Sequence, residues 1–355
     1  MKISDYYTYA PKSKIKAGDA NPNGKYQFYT SSPDESRRCD EYLYDCKAIV
    51  MGTGGSATLH YYDGKFSTST DCLTLIPNEK IRAKYLYYFF LANMDVLEAG
   101  FKGAGLKHTS KGYIDNIEIT KIPSLPSQDK IVNLFDELAL RIEKERRQIE
   151  KLDELVKARF VEMFGTREKW NDANWKIASI DEIIEKPKSG EWGQKDESGR
   201  GIGVIRTTNF SDGGAVYFNS ITTRDIPREK LITKGIKNGD ILIEKSGGSD
   251  KKPVGRVVLY TGESNKYLNN NFTAILRINN NAEVNNIFLF TFLYINYWQG
   301  GTKVFENKTT GIHNLNLKEF LNKTKIALPD MSLQNQFATF VAQVDKSKFV
   351  LSNEL

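Results

Sequence analysis

The sequence is poor in the residues that build covalent and metal cross-links, with 3 cysteines and 3 histidines in 355 residues. Cys39, Cys46 and Cys72 are odd in number and all lie in the first half of the chain. This pattern favours a reducing cytoplasm over a disulfide framework. No histidine stands at ligand spacing from a cysteine, so we expect neither a structural zinc site nor any other metal site.

Long apolar runs are missing as well. The most hydrophobic stretch, residues 85–92, is far shorter than the ~18 residues that a membrane helix needs. The amino terminus, MKISD, lacks the apolar core of a signal peptide. We therefore expect a cytoplasmic protein with no membrane partner. The formal net charge of +6 tilts this protein only mildly toward polyanionic partners.

The chain does contain an internal repeat with a period of about 200 residues. The segment AIVM at 48–51 leads into TGGS at 53–56, and ILIE at 241–244 leads into SGGS at 246–249. Each pattern predicts a short buried strand that enters a glycine turn. At 355 residues, the length fits two domains of about 150 residues each plus connecting helices.

Two further landmarks recur in the same order. Aromatic runs at 85–93 and 288–296 each follow a strand-like segment, and we predict that both are core helices. The next landmark in the first half is TKIP at 120–123 with LPSQ at 125–128. It corresponds to TKI at 324–326 with Leu328-Pro329 and Gln334 in the second half. Three matched landmarks predict a mixed α+β chain (an α/β fold class) made of two tandem modules with pseudo-two-fold internal symmetry.

A long helix is predicted after each proline landmark. The first starts near Ser127 as N-cap, stops at Gly165 and is about 57 Å long at 1.5 Å per residue. Successive apolar residues of this helix are spaced alternately four and three positions apart, as in a heptad repeat. This spacing predicts an antiparallel coiled coil with the second helix, which starts near Asp330. The predicted interface residues are Ile131, Phe135, Leu138, Ile142, Ile149, Leu152 and Val156, facing Phe337, Val341 and Val344.

At these residues the sequence resembles the specificity subunit of a type I restriction-modification system. The resemblance covers nearly the whole chain and is most specific at the two junctions, IPSLPSQ at 122–128 and LPDMSLQ at 328–334. The helix ending KLDELVKARFVEMFG at 151–165, the segment NGDILI at 238–243 and Trp175-Lys176 are similarly typical. Two departures stand out: the first module has no equivalent of Trp175, and the second helix is short.

The resemblance implies a non-catalytic protein of a bacterial or archaeal cell. Two target recognition domains, at residues 1–125 and 166–328, would each read one half of a split, asymmetric site in double-stranded DNA. Helices at 126–165 and 329–355 would hold them apart, with ~57 Å corresponding to roughly 17 base pairs at most. The resemblance further implies that modification subunits carrying S-adenosylmethionine methylate adenine, and that motor and nuclease subunits join for restriction.

Two alternatives belong to other classes. One is a stand-alone DNA methyltransferase or nuclease with a fused recognition domain. FKGAG at 101–105 fits the glycine loop of methyltransferases, but the downstream motif that holds a flipped adenine is missing. Asp240 and Glu244 lack the order of a nuclease carboxylate pair, and we interpret Gly239-Asp240 as a turn entering a buried strand. The second alternative is a coiled-coil scaffold that binds protein.

Candidate DNA contacts fall into two groups, because phosphate contacts position a reader and base contacts specify the sequence. Cations on loops are candidates for phosphate contact. Lys107 and Lys111 are in rough register with Lys303 and Lys308, and Lys102 lies just before the first pair. Lys245, Lys251 and Lys252 flank SGGS at 246–249, whose counterpart in the first module lacks these lysines. Unmatched polar and planar residues are candidates for base contact: Arg37, Arg38, Tyr61, Tyr62, Trp192, Gln194, Arg200 and Arg206. We predict no catalytic residue and no cofactor bound by this chain.

Overall fold

The computed structural model describes residues 1–165, 170, 174–250, 252–309 and 312–353. The chain divides into two units, Met1–Glu143 and Lys144–Leu355, and the boundary falls within a long helix. The sequence prediction placed four segments along the chain with boundaries at 125, 165 and 328. No helix within the described ranges is both long and apolar enough to cross a membrane.

The first unit contains one six-stranded sheet in the order β1-β6-β4-β5-β2-β3. Its strands are β1 (Tyr7–Tyr9), β2 (Tyr26–Tyr29), β3 (Arg38–Cys39), β4 (Tyr44–Gly52), β5 (Leu59–Thr68) and β6 (Cys72–Pro77). Its helices are α1 (Ala83–Ala92), α2 (Met94–Ala99), α3 (Lys111–Asp115) and the first part of α4 (Leu125–Phe164). The pair β2–β5 is parallel, and the other four pairs are antiparallel.

Side-chain alternation along β4 divides the core of the first unit into two faces. Ile49 and Met51 pack under α1 and α2, whereas Ala48 and Val50 point into a second cluster with Tyr29. The sheet is strongly curled, because Tyr29 pairs with the far end of β5 yet stacks on His60 near the start of that strand.

The second unit is built from several smaller sheets. Its strands are β7 (Lys176–Ser179), β8 (Lys188–Ser189), β9 (Gln194–Lys195), β10 (Ile202–Ile205), β11 (Thr222–Asp225), β12 (Ile241–Glu244), β13 (Ser246–Gly248), β14 (Val257–Leu259), β15 (Leu268–Asn269), β16 (Thr273–Leu276), β17 (Glu306–Thr309), β18 (Ile312–Leu315) and β19 (Lys325–Leu328). Its remaining helices are α5 (Ile180–Ile183), α6 (Glu229–Lys234), α7 (Asn286–Trp298), α8 (Leu317–Lys323) and α9 (Met331–Asn353). The sheet orders are β14-β12-β16-β8, β15-β10-β11-β9, β13-β18-β17 and β19-β7.

The repeat predicted from the sequence is visible in the order of elements. Strands β4 and β12 are each flanked by antiparallel neighbours, with Ile49 opposite Leu75 and Leu242 opposite Ile275. The aromatic runs form α1 and α7, as predicted, and both bury residues in the core. The mixed α/β fold class with two tandem modules is therefore confirmed.

The first module starts with a short version of the pairing that β7 makes with β19. The Ile3 amide donates to the Ile117 carbonyl at 3.0 Å, and the Ile119 amide donates to the Met1 carbonyl at 2.9 Å. The absence of an equivalent to Trp175 therefore does not remove this pairing from the first module.

In the second unit, the end of α4 runs antiparallel to α9. Phe337 lies between Phe160 and Phe164, with ring centroids 5.4 and 5.5 Å away, and Lys348 forms an ion pair with Asp153. The predicted antiparallel coiled coil is therefore confirmed for this stretch. The start of α4 needs a correction: the helix begins at Leu125, so Ser127 lies inside its first turn and is not the N-cap.

The predicted interface residues differ widely in burial. Phe337 and Val344 are buried, and Val156 and Val341 pack against the same core. Ile131, Ile149 and Leu152 are half-buried, whereas Phe135, Leu138 and Ile142 are exposed. At 40 residues, α4 is about 60 Å long. In its first half, Phe135 contacts the Tyr88 ring at 5.0 Å, and much of the surface of Leu138 and Ile142 faces solvent.

Candidate nucleic-acid interface

Both units contain the same three-segment backbone arrangement beside a glycine turn. In the first unit, Gly54 pairs with His108, and His108 pairs with Lys102. In the second unit, Gly248 pairs with His313, and His313 pairs with Lys308. We call each set a glycine–histidine ladder: Gly54, His108 and Lys102 in the first unit, and Gly248, His313 and Lys308 in the second.

Backbone hydrogen bonds hold each ladder. Lys102 and His108 exchange two bonds of 3.0 Å, and the Gly55 amide donates to the Lys107 carbonyl at 2.9 Å. In the second unit, a Cβ on Gly248 would lie 2.5 Å from the Val254 amide nitrogen. Only glycine fits that close approach, so its role is to let two backbones meet.

The two histidines share a backbone position but differ in electrostatic surroundings. His108 is exposed. His313 is buried, with Nδ1 3.1 Å from a Glu306 carboxylate oxygen and Nε2 3.5 Å from Asp250. The other Glu306 oxygen accepts from the Val254 amide at 2.8 Å. The second ladder is therefore braced by carboxylates around its histidine.

The predicted phosphate-contacting lysines of the first unit lie on or beside its ladder. Lys102 and Lys107 are exposed. The Lys111 ammonium lies 4.3 Å from the centroid of the Tyr9 ring, whose hydroxyl donates to Asp115 at 2.9 Å. The three lysines thus lie within ten residues of one another beside the ladder, and lysines that neutralise phosphates supply most of the sequence-independent affinity for DNA.

The lysines of the second unit are less alike. Lys245 donates to Ser189 at 2.9 Å, and burial lowers the pKa of its ammonium group. Lys252 donates to Asp212 at 3.0 Å, and Lys303 is exposed in the turn after α7. Lys308 contributes its backbone to the ladder. Lys251 lies outside the described residues.

A groove of about 560 Å³ opens beside the ladder of the second unit. Its rim includes Thr207, Thr208, Ser211, Tyr217, Ser249 and Lys252. Hydroxyl groups both donate and accept hydrogen bonds, as the edges of bases do. Sequence reasoning missed this groove because residues 207–217 and 247–256 meet only in three dimensions.

The acids that suggested a nuclease pair are engaged in buried ion pairs. Arg277 binds the Asp240 carboxylate through Nε at 2.8 Å and Nη2 at 2.6 Å. Arg256 donates to Glu244 at 3.2 Å and to the Thr207 carbonyl at 3.1 Å. Burial raises the pKa of Glu244, and the Arg256 hydrogen bond opposes this rise. The two carboxylates therefore brace β12 and the groove rather than forming a metal site.

The base-contact candidates of the first unit are mostly engaged within the protein. Tyr61 packs 6.0 Å from Tyr87 under α1, whereas Tyr62 lies on the other face of the sheet, 5.6 Å from Phe66. Arg37 lies 3.5 Å from Asp34. The remaining candidate of this set, Arg38, donates to the Glu35 carbonyl at 2.9 Å.

Three of the four candidates in the second unit lie around β9 and β11. The Arg224 guanidinium stacks over Trp192 at 4.3 Å, Gln194 pairs with Asp225, and Arg200 is exposed in the turn at 196–201. Arg206 immediately precedes the Thr207–Asn209 turn of the groove, and its amide donates to Asn209 at 3.0 Å. Arg206 is therefore next in sequence to a groove residue, Thr207, but does not itself line the groove.

A family model, the type I restriction modification DNA specificity domain, matches residues 1–154 and 172–355. The chain belongs to this family. The two matched segments of this specificity-domain family correspond to the two modules of the repeat. Among the described residues, no group of three or more histidine, cysteine, aspartate or glutamate side chains is arranged to hold a metal ion.

The chain is also similar to individual proteins. The chain is 24% identical over 144 residues to the type I restriction enzyme EcoDI specificity subunit of Escherichia coli. The matched residues make up 41% of this chain and 32% of that protein. The match therefore spans about a third of that relative's length. The fold is similar to the type I restriction-modification S subunit of M. genitalium, with a TM-score of 0.57, 17% identity and coverage of 100% of this chain and 91% of that one. The HsdS subunit of Thermoanaerobacter tengcongensis gives a TM-score of 0.38 at 15% identity, with coverage of 100% and 90%.

Proposed function

We propose that this chain is the DNA specificity subunit of a type I restriction-modification complex and has no catalytic role itself. Each module reads one half of a split, asymmetric target. Modification subunits carrying S-adenosylmethionine then methylate adenine, and restriction subunits with motor and nuclease activity join them. This role would place the chain in the cytoplasm of a bacterial or archaeal cell, where the DNA is.

The observation that carries this proposal is the ladder found in both modules of a chain whose two halves match the family model. A ladder shared by two diverged modules fits contact with the phosphate backbone, which is the same at every sequence. The neighbouring structures differ: the 560 Å³ groove lies beside the second ladder, whereas Ser31 accepts the Thr53 amide at 3.1 Å beside the first. A difference there fits two modules that read different bases.

We assign phosphate contact to Lys102, Lys107 and Lys111 in the first module and to Lys303 and Lys308 in the second. The same role is assigned to Lys245 and Lys252, which follow β12, and Lys252 lines the groove. Lys251, which lies outside the described residues, stays a predicted phosphate contact. Base contact is assigned to the groove rim and Arg206. The other base-contact candidates stay predictions: Arg37, Arg38, Tyr61, Tyr62, Trp192, Gln194 and Arg200.

The first test is a map of adenine methylation in a methylation-free host that expresses this chain with its modification subunit. The expected result is a split motif with a fixed non-specific gap. If the two proteins co-purify and no split motif is methylated, the proposed function is wrong. Modification of DNA by the purified chain alone would instead support the stand-alone enzyme.

A second test separates DNA binding from the scaffold alternative. Neutralising several phosphates makes the logarithm of affinity fall linearly with the logarithm of salt, with a slope of about −0.9 per contact. Lys107→Glu should therefore reduce the magnitude of the slope of log affinity against log salt by about 1. The matched control is Lys65→Glu, because Lys65 is exposed on β5 opposite Asp45, at the other end of β4 from the ladder. Affinity that does not vary with salt would favour a protein-binding scaffold.

Base reading by the groove has its own test. Replacing Thr208, which is on the rim and exposed, by valine removes a hydroxyl that can bond to a base edge. The change should alter base preference in one half-site only, because the groove belongs to one module. The loss of discrimination should be below the roughly 1–3 kcal/mol of a good bidentate base contact, since one hydroxyl is removed. Thr339→Val, at an exposed position on α9, is the control that should leave both half-sites unchanged.

A further inference from the structure

Each junction between a module and its long helix contains a fully buried glutamine. Gln128 and Gln334 both have 0% of their surface exposed. The Gln128 Oε1 accepts from the Arg82 amide at 2.8 Å, and its Nε2 donates to the Pro123 carbonyl at 2.9 Å. The corresponding bonds of Gln334, to the Asn285 amide and from its Nε2 to the Pro329 carbonyl, are both 2.8 Å.

The residues that these glutamines hold are structurally equivalent. Arg82 and Asn285 are the N-cap residues of the aromatic helices α1 and α7. Each also bonds through its side chain to the residue after the glutamine. Arg82 grips the Asp129 carboxylate with two bonds of 2.7 and 3.0 Å, and Asn285 donates to the Asn335 side chain at 2.9 Å.

The same geometry is therefore built twice with different chemistry in its outer bond. The outer bond joins the charged side chains of Arg82 and Asp129 in the first module and the amide side chains of Asn285 and Asn335 in the second. Each glutamine accepts from the amide of an N-cap residue and donates to a proline carbonyl, and Gln334 Nε2 also donates to the Glu283 carbonyl at 3.1 Å. Buried amide groups need partners, so each glutamine ties the start of a core helix to the start of a long helix.

We propose that Gln128 and Gln334 are positioning residues that fix the direction in which α4 and α9 leave their modules. By doing so, they set the number of base pairs between the two half-sites. The effect on the number of base pairs rests on the proposed function, whereas the effect on helix direction does not.

The length of α4 shows why a small error in direction matters. For a rod of about 60 Å, a tilt of about 3° displaces the far end sideways by about 3 Å, a distance similar to the ~3.4 Å rise of one base pair. In the first module, Asp136 of α4 also accepts hydrogen bonds from Lys84 and Tyr88 of α1, both at 2.6 Å, so the glutamine and Asp136 restrain the tilt together. Restraining the direction of the helix restrains where a module at its far end meets the DNA.

The test of direction uses spin labels within the first module, one at Leu91 on α1 and one at Leu140 on α4, both exposed. The cysteines at 39, 46 and 72 are replaced by alanine beforehand. The wild-type distance distribution should be narrow, and Gln128→Leu should broaden it at least twofold. Gln148→Leu, at an exposed position of α4, should leave it narrow. An unchanged distribution in Gln128→Leu would overturn the clamp.

The test of the gap uses the complex with its modification subunits and DNA duplexes whose gap is native or altered by one base pair. Gln128→Leu and Gln334→Leu should each lower the ratio of native-gap to altered-gap methylation rates tenfold or more. Selectivity for each base within a half-site should stay within twofold of wild type. Gln334→Glu keeps the acceptor for the Asn285 amide and should give an intermediate ratio, whereas Gln336→Leu, exposed on the same helix, should not change it.

The outcomes separate three interpretations. A ratio that stays constant while all rates fall equally would show that the glutamines only stabilise the fold, and would overturn the gap proposal. Broadened distances without methylation of any split site by the wild-type complex would support the clamp and reject the proposed function. A lowered ratio with preserved base selectivity is the result we expect.

Discussion

Replacing Phe337 by alanine should strongly destabilise the second unit. The Phe337 side chain is fully buried, and its ring meets Phe160 and Phe164 edge to face at 5.4 and 5.5 Å. Truncating a buried phenylalanine typically costs about 3–5 kcal/mol, of which each aromatic contact contributes about 0.5–1.5 kcal/mol. We expect a loss of about 4 kcal/mol in the free energy of unfolding.

Phe349→Ala on the same helix is a matched control, because Phe349 is 68% exposed. Both changes gain a similar, small amount of helix propensity, so their difference isolates burial. The control should change the free energy of unfolding by less than about 0.5 kcal/mol. The two variants should therefore differ by about 3 kcal/mol or more.

Urea unfolding followed by tryptophan fluorescence suits this comparison. The chain has 4 tryptophans, at positions 170, 175, 192 and 298, and all of them belong to the second unit. With a urea dependence of about 1–3 kcal/mol per molar, the midpoint of Phe337→Ala should fall by about 1 M or more. Equal midpoints for the two variants would refute the packing of α9 against the end of α4.

Three other predictions follow from particular contacts. Asp240→Ala should lower the free energy of unfolding by about 3–5 kcal/mol, because it leaves the largely buried Arg277 charged and without this partner. In urea unfolding, the double variant Asp240→Leu/Arg277→Met should recover much of the lost free energy, and no recovery would refute the reasoning. Leu138→Glu with Ile142→Glu, at exposed seam positions, should release modification subunits in co-purification without changing base preference or thermal stability, and altered base preference would contradict it. Hydrogen bonds from the Thr223 side chain and the Gly201 amide lower the pKa of Asp196 to about 2. The stability that this carboxylate gives to the turn at 196–201 is therefore fully present above the unfolded pKa of about 3.9 and is lost as pH falls toward 2. The midpoint of a carboxyl NMR titration would check this pKa.

Family membership and the order of landmarks could be predicted from the sequence because they depend on local pattern. The strand-to-glycine segments, the aromatic helices and the proline–glutamine junctions are each contained in fewer than about fifteen consecutive residues. Helix and strand periodicity, turn residues and proline positions act at that range. The repeat itself is a comparison of such patterns, so it needs no tertiary information.

The helix seam shows where pattern reasoning reached its limit. The alternation of Phe135, Leu138 and Ile142 is as regular as that of Phe337, Val341 and Val344, yet the first three side chains are exposed, whereas Phe337 and Val344 are buried. Periodicity shows which side of a helix is apolar but not what covers it. Ser127 was misassigned for a related reason, because the helix starts two residues earlier, at Leu125, and proline is tolerated in a first turn.

By itself, the sequence determined the family, the two modules and the long helices, since these follow from residue types at short spacing. Only the tertiary structure decided that Gly54 pairs with His108 as Gly248 pairs with His313, and that Gln128 and Gln334 bond to equivalent N-cap residues. Each of these contacts joins segments whose separation along the chain carries no periodic signal. Gln128 and Arg82 are 46 residues apart, and Gln334 and Asn285 are 49 apart. Such pairs form because backbone groups buried by the whole fold must find a partner, and the fold decides which partner is within reach.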